Sequence, residues 1–173
     1  MKKDILIILA VALIGGIYGF IYEEIFYYFD LGYLVKRGIT FGPWITIYSI
    51  GSIIIYLLTK NKKQNIVKVF IISIIVSGIL EYLFGYMLLH IFNTRLWDYN
   101  IEILNFGNIN GFVCLRSILF FGLSSVILIF LLIPLINKII NKDSKIINLI
   151  ILILGITYFL DIVTSTILFI VNN

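Results

Sequence analysis

The chain has 173 residues, of which 61% are hydrophobic and 13% are charged, and its mean hydropathy is +1.11. A soluble domain of this size has too little polar sequence to cover so much apolar surface, so the composition excludes one and indicates a membrane protein. The formal charge of +4 reflects membrane topology, because the lysines gather in particular loops, and it does not indicate nucleic-acid binding.

Five apolar stretches are long enough to cross about 30 Å of hydrocarbon as helices. The sequence therefore predicts an all-α, polytopic membrane protein with one transmembrane domain over residues 1–173. The third and fifth stretches reach spanning length only if Glu81 and Asp161 are accepted inside them. The predicted helices cover about residues 5–27, 43–59, 66–92, 112–136 and 146–171.

Basic residues are divided unequally between the two ends of these helices. One side carries only Lys36, Arg37 and Arg95, whereas nine lysines fall on the other side if five helices alternate. The positive-inside rule then predicts a cytoplasmic N-terminus and places loops 29–43 and 93–111 outside. The nine lysines are Lys2, Lys3, Lys60, Lys62, Lys63, Lys68, Lys138, Lys142 and Lys145.

Three charged residues interrupt the apolar stretches at about the same depth, in the outer half of the bilayer: Glu81, Arg116 and Asp161. A charge in hydrocarbon is costly and is retained mainly where it is paired or used. The two outer loops are long and contain several glycines and asparagines. We expect both loops to fold onto the bundle, because loops of this length are usually functional.

Motifs at the outer side resemble a known family over about residues 15–125. They match, in order, the signatures of a bacterial family of type IV ABC-transporter, or CmpB-like, permeases. The departures from the family pattern include Lys36, where the family has Asn, and Leu89, where many members have a second Glu. The matching segments are Lys36–Pro43 (KRGITFGP), Ile47-Tyr48, Gly51, Glu81-Tyr82, Gly85, Trp97-Asp98-Tyr99, Asn110-Gly111 and Cys114-Leu115.

The resemblance implies an integral transport component of the bacterial cytoplasmic membrane, with a polar site in the outer half of the bilayer. Its partners would be membrane lipid and either an ATPase subunit or further copies of the chain. We predict no nucleic-acid partner, no metal site and no cofactor. The predicted substrate-binding residues are Arg37, Gly42, Tyr48, Glu81, Trp97, Asp98, Asn110 and Arg116.

Two of these residues have more than one interpretation. Glu81 shares a helix face with Ser77 and Gly85, which predicts that it points into the bundle. There it could bind a proton, act as a general base, or form a structural ion pair with Arg116. Arg116 could clamp a phosphate or carboxylate, or neutralise Glu81 or Asp161. For Asp161 itself, an interhelical hydrogen-bond site is favoured.

Two other functions remain open at this point. One is an intramembrane enzyme that acts on a lipid or lipid-linked substrate at the outer leaflet, with Glu81, His90, Asp98 and Arg116 as candidate catalytic residues. The other is a non-catalytic membrane assembly protein. The short inner loops are an objection to the transport function, because an ABC permease must receive force from a cytoplasmic ATPase.

Overall fold

The computed structural model describes residues 3–60, 65–142 and 144–172. In these ranges the regular structure is helical apart from one isolated bridge between Ile109 and Val113, which confirms the all-α prediction. A π-helical turn, Leu128–Leu132, joins α4 to α5. The helices are α1 (Lys3–Leu31), α2 (Thr46–Thr59), α3 (Ile66–Phe92), α4 (Leu115–Ile127), α5 (Ile133–Asn141) and α6 (Lys145–Asn172).

Within the described ranges, four helical segments are long and apolar enough to cross a membrane: α1, α3, α6 and the continuous segment Leu115–Asn141. The second helix is apolar but shorter, at 14 residues, or about 21 Å. It was expected to begin at residue 43. It begins later because Ile45 is extended (φ −117°, ψ 121°) and donates its N–H to the Gly16 carbonyl at 3.1 Å.

Three other helix bounds differ from the prediction. The first helix continues to Leu31, and the fourth begins at Leu115 because residues 109–113 form the bridge described above. The fourth segment also runs on to Asn141, since the π-helical turn accommodates Pro134, whose nitrogen cannot donate a hydrogen bond. Lys2, Lys62 and Lys63, on which part of the predicted orientation depends, lie outside the described residues.

The α1–α2 pair packs closely through small residues on α1. A side chain at Gly19 would occupy the space of the Tyr48 ring, and one at Gly16 would meet Ser49. The Ser49 hydroxyl donates to the Ala12 carbonyl at 2.8 Å. Small residues let two helix backbones approach in a membrane, where apolar burial gives little drive for association.

Both long loops lie at one end of the bundle, which we call the loop end. The first loop (residues 32–45) meets the second (residues 93–114) where the Arg37 guanidinium donates to the Leu96 carbonyl at 3.0 Å. The second loop also folds back into the bundle, so that Tyr99 and Phe112 are buried.

The last helix, α6, packs chiefly on α1 and does not pack along α3. About halfway along α6, Tyr158 meets the ring of Trp44, a residue of the first loop, edge-to-face at 5.4 Å. Phe92 and Phe169 are in ring contact at 5.5 Å. The helices α3 and α6 therefore bound a gap that the first loop closes at the loop end.

Candidate functional site

Glu81 is buried between α3 and α4, with 4% of its surface exposed. Its Oε1 atom accepts a hydrogen bond from the Tyr99 hydroxyl at 2.7 Å and another from the Ser117 hydroxyl. The two hydroxyl oxygens are themselves 2.9 Å apart. The Oε2 atom is buried and has no hydrogen-bond partner among the described residues. The Glu81 side chain thus points into the bundle, as the pattern of small residues on its helix face predicts.

The Glu81 cluster has room for one more proton. Three oxygens contact one another pairwise, but Tyr99 and Ser117 supply only two hydroxyl protons for those three contacts. Burial and the nearby Glu81 carboxylate raise the pKa of Tyr99 well above its ordinary value, so the phenol keeps its proton. A proton on Glu81 would fill the third contact and remove the cost of an unpaired buried charge.

Arg116 pairs with Glu102, which is a correction to the predicted partners Glu81 and Asp161. Its Nη2 atom donates to Glu102 Oε2 at 2.7 Å, and Tyr27 donates its hydroxyl proton to the other carboxylate oxygen. The pair forms because the second loop folds back and buries Glu102, which is 6% exposed. The Nε and Nη1 atoms of Arg116 are buried without a partner in the described part of the chain.

A second buried ion pair joins the first loop to α1. Arg37 Nε lies 3.1 Å from Glu23 Oε2, and the Arg37 backbone N–H donates to Glu24 at 3.0 Å. The guanidinium also stacks 3.7 Å from the centre of the Tyr27 ring. Burial alone would lower the pKa of Arg37, but the negative charge of the Glu23 carboxylate more than offsets it, so the pKa is raised and Arg37 stays charged.

These groups form one continuous array, which we call the polar network. Tyr27 connects the Arg37 and Glu102 ends, and the Tyr99 ring lies 5.5 Å from the Arg116 guanidinium, next to Glu81. The network holds three carboxylates against two guanidinium groups, and Glu81 is the carboxylate without an ion pair. Its members are Glu23, Tyr27, Arg37, Glu81, Tyr99, Glu102, Arg116 and Ser117.

Two of the predicted substrate-binding residues, Tyr48 and Gly42, are not members of this network. Tyr48 is buried beside Glu23 and stacks on Phe121 at 4.5 Å. Gly42 was expected to present its backbone N–H to an anion. The anion that it faces is Asp161, whose Oδ2 atom accepts that N–H at 2.7 Å. Gly42 therefore anchors the first loop to α6.

Trp97 and Asp98 hold the second loop together. The Trp97 indole donates to the Phe112 carbonyl at 3.0 Å. Asp98 pairs with Arg95 at 3.3 Å, and its carboxylate accepts from the Asn100 backbone at 3.0 Å. Both side chains of the Asp98–Arg95 pair are about one quarter exposed. Neither Trp97 nor Asp98 bonds directly to Glu81.

His90 and Asn110 lie apart from the Glu81 cluster. His90 is exposed and meets the Tyr86 ring at 3.9 Å. Nine positions separate it from Glu81, which at about 100° per residue places them on opposite faces of α3. Asn110 accepts an Arg95 bond at its carbonyl, 3.1 Å away, in a left-handed turn (φ 56°). The structure therefore does not bring His90 or Asp98 into contact with Glu81, and the predicted catalytic grouping of Glu81, His90, Asp98 and Arg116 stays a prediction.

Sequence reasoning missed Glu102, Tyr27 and Glu23 as members of the network. All three looked like acids and aromatics of the outer boundary, which is where such residues are common. No local pattern in the sequence reveals that Glu102 turns inward, since its burial depends on how residues 93–114 fold back. Within the described ranges, no group of three or more histidine, cysteine or acidic residues is placed to hold a metal ion.

The fold defines the chain as a multi-pass membrane protein, since the described part of the chain has four apolar helices of spanning length. A comparison with protein families matches residues 11–166 to the family described as "Putative ABC-transporter type IV". The chain belongs to this family, which places it among membrane transport components. The match extends beyond the predicted 15–125 and takes in Asp161 and most of α6. Neither a curated protein nor a solved structure matches the chain.

Proposed function

We propose that the chain is a permease-like transport component of the bacterial cytoplasmic membrane and that the polar network is its substrate site. The observation that carries the proposal is that, among the described residues, the buried Glu81 carboxylate has no ion pair and Arg116 has two nitrogens without a hydrogen-bond partner. Buried charged groups are expensive in a membrane and are usually retained for function. A family of transport components supports the same conclusion.

Two residues would have separate tasks at this site. Among the described residues, Arg116 Nε and Nη1 are buried without a hydrogen-bond partner beside the Glu102 pair, and two such donors would suit a phosphate or carboxylate group of the substrate. Glu81 would take up or release a proton, because its cluster can hold one more. A substrate anion near Arg116 would favour protonation of Glu81, which would couple the two events.

The enzyme alternative has less support. An outer-leaflet enzyme would need a base and orienting groups near Arg116, and His90 and Asp98 were the candidates for these roles. His90 faces away from Glu81, and Asp98 is engaged with Arg95 and the Asn100 backbone. The transport function therefore accounts for more of the network.

Isolation of the tagged chain from its native membrane in mild detergent, followed by mass spectrometry, tests the proposed class. We expect a stoichiometric ATPase subunit to remain bound, since a permease of this kind needs one. A bound ATPase subunit would also answer the objection that the inner loops are short. Dimerisation of the chain would enlarge the surface that contacts this subunit. A homogeneous preparation without any ATPase subunit, from membranes that express one, would count against the proposal.

We also propose that the loop end faces outward, with a cytoplasmic N-terminus, so that the network lies in the outer half of the bilayer. This follows from the lysine distribution. In a Cys114→Ala background, we expect a cysteine at Lys36 to react with a membrane-impermeant maleimide on intact cells. A cysteine at Lys142, which is also an exposed lysine but lies at the other end, should react only after lysis. The reverse pattern would contradict this orientation.

A further inference from the structure

An apolar cavity lies between α3, α6 and the first loop. Its volume is about 310 Å³, which is at the lower end of the roughly 300–1,000 Å³ of small-molecule sites. Its walls are mainly Phe84, Leu88 and Phe92 of α3 and Phe169 and Ile170 of α6. Both helices have spanning length and do not pack along each other, so this gap faces the acyl chains of the bilayer.

A polar depression adjoins this cavity at the loop end. Its volume is about 410 Å³, and Arg37, Leu96 and Trp97 line both the depression and the cavity. These three residues therefore form the boundary between an apolar chamber and a charged one. The depression adds the carboxylates of Asp30 and Asp98 and the guanidinium of Arg95.

We propose that this composite site binds one membrane phospholipid, with an acyl chain in the apolar cavity and an amine-bearing headgroup in the polar depression. The shape of the site requires an amphiphile, because each chamber alone suits only one half of such a molecule. The bilayer at this gap is the source of molecules of that kind. The site does not include Glu81, but it shares Glu23, Tyr27, Arg37 and Glu102 with the polar network.

The charges of the depression select the headgroup. Arg37, Arg95 and Glu102 are already engaged in ion pairs with Glu23, Asp98 and Arg116, respectively. Asp30 accepts only the Ile103 backbone N–H, at 3.1 Å, in the part of the chain that the structure describes, and has no ion pair there. The uncompensated charge is therefore negative, which favours an amine and disfavours a purely anionic head. Among common bacterial lipids, this means phosphatidylethanolamine over phosphatidylglycerol.

The test uses the full chain in nanodiscs of equal phosphatidylethanolamine and phosphatidylglycerol, extracted into mild detergent. Mass spectrometry then counts the lipid that remains bound. We expect about one phosphatidylethanolamine per chain in the wild type and at least about tenfold less in Leu88→Trp, which fills the cavity. Leu83→Trp is the matched control, because Leu83 lies on the same helix but is 51% exposed and lines no wall of the cavity.

Thr166→Phe fills the same cavity from α6 and replaces Leu88→Trp if that variant does not elute and fold as the wild type does. In Asp30→Asn, we expect the preference for phosphatidylethanolamine to vanish, while Asp4→Asn, at the other end of α1, should keep it. Equal lipid retention in the Leu88 and Leu83 variants, or equal retention of both lipids by the wild type, would overturn the proposal. Such a result would leave the proposed transport function standing, because the assay involves no ATPase.

Discussion

Replacing Glu102 by leucine is expected to lower the free energy of unfolding by about 3–5 kcal/mol, the usual effect of removing one partner of a buried ion pair. The side chains of Glu102 and Arg116 are 3% and 12% exposed, so water cannot replace the lost carboxylate. Tyr27 also loses its acceptor. Thermal and denaturant unfolding in detergent, followed by circular dichroism, measure the loss.

Two controls distinguish the effect of breaking a buried ion pair from the effect of removing a charged side chain elsewhere. Asp98→Asn removes the charge from the more exposed Asp98–Arg95 pair and should change the free energy of unfolding by about 1 kcal/mol or less. The double variant Glu102→Leu, Arg116→Met should recover most of the loss, because an apolar pair can replace a buried ion pair at little cost. If Glu102→Leu has nearly wild-type stability, Arg116 and Glu102 do not form a buried ion pair.

Replacing Asp161 by alanine is expected to lower the free energy of unfolding by about 3 kcal/mol. Several charge-assisted hydrogen bonds to the carboxylate are lost together, and a single one contributes about 1.5–3 kcal/mol. The Asp161 carboxylate accepts from the backbone of Phe41 at 2.9 Å and of Gly42 at 2.7 Å. It also accepts from the Trp44 indole at 2.8 Å and from Ser165 at 2.9 Å. These bonds tie the first loop to α6.

The same substitution should release the first loop locally. We expect trypsin to cut after Lys36 or Arg37 faster than in the wild type, which a protease time course would detect. Thr164→Ala is the matched control, since the Thr164 hydroxyl bonds only to carbonyls of its own helix. Stability should change there by about 0.5 kcal/mol or less. Unchanged cleavage in Asp161→Ala would mean that other contacts hold the loop.

The sequence predicted the helices well because each one is a long, nearly uninterrupted stretch of apolar residues, which can be read directly along the chain. It also predicted the inward direction of Glu81, since Ser77 and Gly85 mark the same face one turn away on either side and both lie on the buried side of α3. The prediction that Asp161 makes an interhelical hydrogen bond is confirmed only in part. The carboxylate bonds α6 to the first loop rather than to another membrane-crossing helix.

The other contacts of the site depend on how the loops fold, which the spacing of apolar residues along the sequence does not predict. The partner of Arg116 lies 14 positions earlier, in a loop that returns into the bundle, and that return is set by tertiary packing of Tyr99 and Phe112. Similarly, α2 is short because Ile45 makes a backbone bond to α1 instead of continuing a helix. The sequence predicts about the same depth for Glu81, Arg116 and Asp161, but depth does not fix the direction in which each side chain points.

Glu81→Gln tests most directly whether the polar network is the working site of a transport component. Glutamine keeps the shape and can still accept from Tyr99 and Ser117, but it cannot ionise. We predict an unchanged or higher melting temperature, with ATP hydrolysis by the isolated complex in nanodiscs reduced to that of the ATPase subunit alone. Glu24→Gln, the same change in an acid that bonds a backbone amide, should keep wild-type hydrolysis. Wild-type hydrolysis in Glu81→Gln would contradict the account.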